Sequence, residues 1–324
     1  MTYYKDKKNS KNTLLVVVFL LISHVQVFSQ IDAQITQYMF HHSAYNPAAI
    51  AENGMFSITG QHRIQWMGMP GAPQTTYFSA NMPFRLGKST NGVGVVFLRD
   101  QAGAFLNQSA NAQYAYKKKM GGGVLSAGAS VGFISIGFIA DSVKNKIKSQ
   151  YHEQTDNKVP ASNENGMGLD IGVGLFYSTP KYYAGVSYAH VNSPSFQLGD
   201  KTTFHTRGIA YFTGGYDIGF DESKFLVRSS TLLKTDFTTF QVDLSSRLEY
   251  DKRFWGGLSY RFQESVSVFG GVNLFSGIMV GYSYDIPTMK LFSLKNGSHE
   301  LFISYSFALD TSKNKNKYKS IRIL

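Results

Sequence analysis

The feature that most constrains the fold is a period-two alternation of side chains that continues from Met55 to Leu309. Within residues 238–250, Phe240 and Leu244 fall on one face, and Gln241 and Asp243 fall on the other. A β-strand places successive side chains on opposite faces, whereas a helix would spread both sets around its surface. The pattern therefore predicts an all-β chain whose strands each carry one apolar face and one polar or small face.

About fourteen segments carry this pattern. They lie near residues 55–66, 75–84, 92–99, 105–116, 123–138, 168–179, 182–192, 206–219, 225–235, 238–250, 254–262, 265–275, 278–286 and 299–309. Many approach the roughly 9–11 residues that cross a bilayer as a tilted strand, and an even number returns both termini of the chain to one side of the membrane. We therefore predict a transmembrane antiparallel β-barrel of about 14 strands, of the outer-membrane type.

The connections between these segments support closure. If the first strand rises from the periplasm, every even-to-odd connection is short, while the longest connections, 140–167, 193–205, 287–298 and 67–74, fall on the opposite side. Aromatic residues of an interfacial girdle are expected beside the short turns, at Tyr116, Tyr177, Tyr182, Tyr183, Phe225, Tyr250, Phe254, Trp255, Phe275 and Phe307. Alternation alone also suits a soluble β-sandwich, but the charged and amide side chains of the polar face favour a wet or plugged lumen.

The first 29 residues have the form of a cleavable signal peptide. Lysines precede an apolar run from Leu14 to Ile22, and Val27-Phe28-Ser29 supplies acceptable residues for cleavage between Ser29 and Gln30. Nine apolar residues are too few to span a bilayer core about 30 Å thick, so export is favoured over a retained anchor. The chain has no cysteine, which excludes a lipoprotein, disulfide scaffolds and thiolate chemistry.

Charge and candidate ligands give little indication of chemistry. The formal net charge is +11, but much of it lies in the leader and in a basic tail at 310–324 with Lys313, Lys315, Lys317, Lys319 and Arg322, so nucleic acid is not an expected partner. A solvated terminus is the simpler interpretation of the tail, and contact with an acidic periplasmic partner is the functional one. Candidate ligands or acid–base groups are His41-His42, His152-Glu153, Asp100, Asp170, Asp243 and Glu249. None has motif spacing, and a polar lumen explains the carboxylates, so we predict no enzyme, metal or cofactor.

A family resemblance appears in the first fifth of the chain. Its elements are Gln37-Tyr38-Met39, Asn46-Pro47-Ala48, Arg63 with Gln65-Trp66, and Gly71-Ala72-Pro73, followed by Thr76, Ser79 and Pro83. Together they resemble the opening of the PorP/SprF family of type IX secretion outer-membrane proteins of gliding or protease-secreting Bacteroidetes. The sequence AIAENG after Asn46-Pro47 and the basic tail depart from that family's pattern.

The resemblance implies an integral component of a Gram-negative outer membrane, held in its lipid and needed to export cargo or attach it to the cell surface. Its implied partners are periplasmic and outer-membrane type IX components and a secreted cargo or gliding adhesin, without catalysis. Alternatives are a passive channel for small or hydrophobic solutes and a surface adhesin acting through residues 140–167. We predict four regions: a signal peptide at 1–29, a segment at 30–54 that plugs the lumen, a barrel at 55–309 and a tail at 310–324.

Overall fold

The computed structural model describes residues 32–87, 89–140, 162–198, 202–220, 223–274, 277–288 and 297–308. Its strands are β1 (Phe56–Ile64), β2 (Gln74–Leu86), β3 (Ser89–Ala102), β4 (Phe105–Met120), β5 (Gly123–Phe138), β6 (Glu164–Ser178), β7 (Tyr182–Ala189), β8 (Ser195–Leu198), β9 (Thr202–His205), β10 (Ile209–Gly219), β11 (Phe225–Thr235), β12 (Phe240–Tyr250), β13 (Phe254–Arg261), β14 (Ser265–Asn273), β15 (Ile278–Pro287) and β16 (Ser298–Phe307). No helix in these ranges is long and apolar enough to cross a membrane.

Fourteen of these strands form one closed antiparallel barrel in which each strand pairs with its neighbours along the chain, apart from β8 and β9. The barrel closes where β1 pairs with β16, from Phe56 opposite Phe307 to Ile64 opposite His299. Closure leaves no edge strand in the barrel wall, as lipid requires. The predicted barrel and its strand number are confirmed, and the soluble sandwich is excluded.

The alternation places apolar side chains outside and polar ones inside. On β12, Leu244 and Leu248 are exposed, whereas Gln241, Asp243 and Glu249 are buried. A soluble protein would bury the apolar side chains. In a membrane barrel, the outward apolar face contacts the lipid. The lumen is therefore where the polar chemistry of this chain is concentrated.

The two ends of the barrel differ in their connections. Short turns at 87–88, 121–122, 179–181, 220–224, 251–253 and 274–277 define what we call the short-turn end. The other connections, 65–73, 103–104, 139–163, 190–208, 236–239, 262–264 and 288–297, define the long-loop end. The longest connections all lie at this second end, as the sequence predicts.

The connection from β7 to β10 contains a hairpin where the sequence predicts only a loop. Strands β8 and β9 pair there, and Phe196 and Leu198 pack on Ile134 and Ile136 of the inner face of β5. Gly166 on β6 permits this approach, because a Cβ there would lie 2.7 Å from the Cβ of Phe196. The hairpin thus covers the inner face of the wall at the long-loop end.

The aromatic girdle is partly as predicted. Tyr182, Phe225 and Phe254 are exposed at the short-turn end. Trp255 and Tyr183 do not join them, because each follows an outward aromatic residue on its strand and so points into the lumen. Placing those two in the girdle was wrong, and Phe275 lies outside the described residues.

Candidate functional site

Residues 32–55 lie inside the barrel as a chain of short helical turns. A 3₁₀ turn at Tyr38–Phe40, a helix at His42–Tyr45 and a second 3₁₀ turn at Pro47–Ala49 follow one another. Asn46 begins the last turn, since its side-chain oxygen accepts a hydrogen bond from the Ala48 amide at 2.9 Å and proline follows it.

The segment passes through the lumen from one end to the other. Asp32 lies at the long-loop end, where its carboxylate contacts His190, just after β7, and Tyr211, near the start of β10. Ala51 lies toward the short-turn end, where its carbonyl accepts a hydrogen bond from Lys117 of β4 at 2.6 Å. The chain then enters β1 at that end, so residues 32–55 run along the length of the barrel.

Arg63 on β1 organises the first cluster of buried charges around the segment. Its guanidinium lies 2.6 Å from Asp285 of β15 and 3.4 Å from Glu300 of β16, and it donates to the Thr36 hydroxyl at 2.7 Å. Glu300 also accepts hydrogen bonds from the Thr36 and Gln37 amides, each at 2.8 Å. The cluster satisfies backbone groups of the segment that would otherwise be buried without partners.

Arg261 on β13 organises a second cluster. It lies 2.7 Å from Asp243 of β12 and donates to Gln34 of the segment at 3.1 Å. Gln34 in turn donates to Glu264 and accepts from Gln65, each at 3.1 Å. This network connects the segment to two inward positions of the wall, to the β13–β14 connection and to the residue that follows β1.

Asn46 binds the segment to the wall formed by β6 and β7, which lies across the barrel from β1 and β16. Its amide nitrogen donates to the carbonyl of Leu175 on β6 at 2.9 Å and to that of Val186 on β7 at 3.3 Å. Gly174 and Gly185 make room for it, since a Cβ at either position would come within 3.0 Å of the Asn46 side chain. Contacts to opposite walls mean that the segment fills the lumen and does not lie along one side of it.

Aromatic packing completes the interior. Phe40 lies 4.6 Å from Trp255 and 5.0 Å from Phe302, measured between ring centroids. Tyr38 is buried, and its hydroxyl bonds with Ser245 of β12 at 3.2 Å. His41 is buried and packs against Tyr77 and Phe302.

At the long-loop end, His190 pairs with two carboxylates. His190 lies 2.7 Å from Asp170 and 3.3 Å from Asp32. Burial alone lowers the pKa of His190, but hydrogen bonds to Asp170 and Asp32 outweigh it and raise that pKa to about 10. Burial raises the pKa of Asp32, yet the contact with His190 lowers it overall. The three charged side chains therefore hold the start of the segment against β6 and β7 near neutral pH.

The family-motif positions separate into two groups. Gln37, Tyr38, Asn46, Pro47, Arg63 and Gln65 meet around the segment in the lumen. Trp66, Gly71, Ala72 and Pro73 lie in the β1–β2 connection at the long-loop end. There, Gly71 accepts a hydrogen bond from Gly103 at 2.8 Å and Pro73 accepts one from Gln65 at 2.9 Å. The second group shapes a loop, and a role of either group in function stays a prediction.

The candidate acid–base residues all have partners. Asp100 accepts from Thr75 at 2.6 Å, Asp170 pairs with His190, Asp243 with Arg261 and Glu249 with Arg228. His42 contacts Glu52 at 2.9 Å. Across the described ranges, no three His, Asp or Glu side chains are grouped as a metal site would need. These residues hold the segment and the wall together.

Several predicted residues lie outside the described residues. They are Ser29, Gln30, His152, Glu153, Lys313, Lys315, Lys317, Lys319 and Arg322, with most of the connection 140–167. Sequence reasoning also missed residues that the structure brings to the lumen: Arg261, Asp285 and Glu300. In the sequence, each of these three residues is a charged residue at a polar position of an alternating strand. That position identifies the inward face, but it does not identify the residue with which the charge pairs.

Fold and interior together define an outer-membrane β-barrel whose lumen is occupied by its own N-terminal segment. The model of the type IX secretion system membrane protein PorP/SprF family matches residues 27–305, and the chain belongs to that family. No curated protein matches this chain in sequence.

Several solved barrels are similar to the chain in structure. Acinetobacter baumannii Omp33 is 9% identical, with a TM-score of 0.47 and coverage of 78% of this chain and 98% of its own. The Pseudomonas putida toluene transporter TodX is 12% identical, with a TM-score of 0.43 and coverage of 82% and 92%. The CymD monoaromatic hydrocarbon channel is 13% identical, with a TM-score of 0.45 and coverage of 86% and 94%.

Proposed function

We propose that this protein is a non-enzymatic component of type IX secretion that supports export or surface attachment of cargo by binding other proteins. The observation that carries the proposal is the lumen filled by residues 32–55, in a chain of the PorP/SprF family. A barrel whose interior is tied to opposite walls offers no wide path for a solute. Its ends remain available as rigid surfaces for protein partners.

The two ends suit different partners. Under the expected orientation, the short turns and the basic tail face periplasmic ring proteins, and the long loops face a cargo or gliding adhesin at the cell surface. The charge of the tail supports contact with a periplasmic protein. An acidic partner would be attracted by its basic residues, Lys313, Lys315, Lys317, Lys319 and Arg322. Deleting residues 312–324 is then expected to reduce recovery of that partner, while unchanged recovery and secretion would dismiss the tail contact.

The test is affinity purification of the tagged protein from detergent-solubilised outer membranes, with mass spectrometry of the bound proteins. An unrelated outer-membrane barrel purified in parallel is the control. We expect enrichment of type IX ring components or of a large exported adhesin. A deletion strain is expected to lose export or surface display of that cargo and to regain it when the gene is restored.

Two rival functions predict different results. A passive channel for small or hydrophobic solutes would give uptake and conductance without loss of secretion in the deletion strain. A surface adhesin acting through residues 140–167 would lose binding when that connection is shortened, while secretion persists. Either outcome, with no type IX partner recovered, would overturn the proposal.

Export and cleavage belong to the same proposal. The leader at 1–29 would direct the chain to the periplasm, and mature protein would begin at Gln30. Mass spectrometry of the N-terminal peptide from isolated outer membranes is the check. A peptide that still contains Leu14–Ile22 would overturn cleavage after Ser29.

A further inference from the structure

Two arginines face each other across neighbouring strands near the short-turn end of the lumen. Arg228 on β11 lies directly opposite Arg247 on β12. Both line a cavity beside the N-terminal segment, so both point inward. Like charges directly opposite on paired strands destabilise a sheet unless other charges compensate them.

Nearby carboxylates compensate the charge of Arg228 but not that of Arg247. Arg228 lies 2.9 Å from Asp217 and 3.2 Å from Glu249, so its charge is paired. Arg247 forms no ion pair with a carboxylate of the described residues, and its Nε and Nη1 atoms are buried without a hydrogen-bond partner. A charged group with unsatisfied donors costs more in a lumen than in water.

Phe40 of the segment holds Arg247 in place. The guanidinium carbon lies 4.3 Å from the centroid of the Phe40 ring. A cation over an aromatic face is stabilised there, and the contact uses none of the guanidinium N–H groups as hydrogen-bond donors to oxygen. The N–H groups at its edge remain available for an acceptor.

The cavity beside Arg247 contains one further unpaired donor. It has a volume of about 250 Å³ and is also lined by Tyr183, His42 and Glu52. The Tyr183 hydroxyl, which can donate, is buried without a partner among the described residues. A water occupies about 30 Å³ in the liquid, so the volume admits a small group as well as solvent.

We propose that this cavity binds an oxyanion group, a carboxylate or a phosphate, through Arg247 and Tyr183. Such a group accepts several hydrogen bonds at once and matches the planar guanidinium fork. It would also compensate the second arginine of the facing pair. Asp217, Glu249 and Glu52 are already engaged with Arg228 and His42, and so leave Arg247 for the incoming anion.

The experiment is calorimetric titration of the purified mature protein in detergent. The probes are inorganic phosphate, a short uncharged peptide with a free C-terminal carboxylate, and the same peptide amidated at that end. We expect Arg247→Gln to weaken binding of the accepted probe roughly tenfold or more. Arg85→Gln is the matched control, because Arg85 is exposed near the same end of the barrel and does not line the cavity.

The probes distinguish the sources of the anion. Binding of phosphate alone indicates a free phosphate or a phosphorylated headgroup, and binding of the free peptide but not the amidated one indicates a polypeptide terminus. Tyr183→Phe removes only a hydroxyl and is expected to weaken the same probe, which keeps the test open if Arg247→Gln does not fold. Absence of saturable binding, or equal binding by wild type, Arg247→Gln and Tyr183→Phe, would overturn the proposal whatever the secretion assays show.

Discussion

At the scale of single residues, Arg63 is the centre of a buried cluster of charges. It joins Asp285, Glu300 and Thr36 although these residues are distant in sequence, with Arg63 and Glu300 separated by 237 positions. Its side chain is 2% exposed. The buried Arg63 cation neutralises two carboxylates that are themselves shielded from water.

Arg63→Gln is therefore expected to lower the free energy of unfolding by about 3–5 kcal/mol, because it leaves Asp285 and Glu300 buried without their cation. Urea unfolding of the protein in detergent micelles measures this. The control is Arg99→Gln, since Arg99 is exposed and contacts only Gln101 among the hydrogen bonds described. An equal effect of the two substitutions would show that the buried cluster contributes nothing.

His190 gives the interior a dependence on pH. The pKa of His190 is about 10 when folded, above the ordinary value of about 6.5, so the contact stabilises fully below that lower value and is lost as pH rises through the higher one. His190→Asn, which tolerates the left-handed backbone at φ +54°, is expected to destabilise more at about pH 6 than above pH 10. Unfolding curves at both pH values test this, and a pH-independent loss would contradict it.

At the scale of elements, the strands were predictable because a period of two is a local property of the sequence. The predicted segments at 105–116, 123–138 and 225–235 agree closely with β4, β5 and β11. The β8–β9 hairpin was not predictable, since each of its strands has only four residues and its packing depends on the distant residues Ile134 and Ile136.

The interior contacts of the segment were predictable only in outline. Its aromatic content suggested burial in the lumen, and the alternation identified the inward face of each strand. Which inward residue meets which part of the segment depends on the register of strands that pair around a closed barrel. Asn46 bonding to β6 and β7 is such a contact, and no spacing in the sequence indicates it.

Gly128 on β5 tests the fit between wall and segment. A Cβ at Gly128 would lie 2.4 Å from the Ala48 amide nitrogen, so Gly128→Ala is expected to displace the segment and cost about 1–3 kcal/mol. Gly60→Ala is the matched control, because a Cβ there meets nothing within 4 Å. Urea unfolding of both variants is the measurement, and a tolerated Gly128→Ala would mean that the segment does not pack as described.

At the scale of the whole molecule, the two ends of the barrel are expected to face different compartments. The chain has no cysteine, so single cysteines report their own exposure. Met69→Cys, exposed at the long-loop end, is expected to react with an impermeant maleimide on intact cells. Asn53→Cys, exposed near the short-turn end, is expected to react only after permeabilisation. The reverse result would mean that the long loops face the periplasm.

The most direct test of the filled lumen is single-channel conductance of the mature protein in a planar bilayer. Because residues 32–55 bond to opposite walls of the barrel, we expect no large, stable open state. A variant lacking residues 32–53 is the comparison, and it is expected to conduct if it folds. A large and stable open pore in the full-length mature protein would contradict the filled lumen.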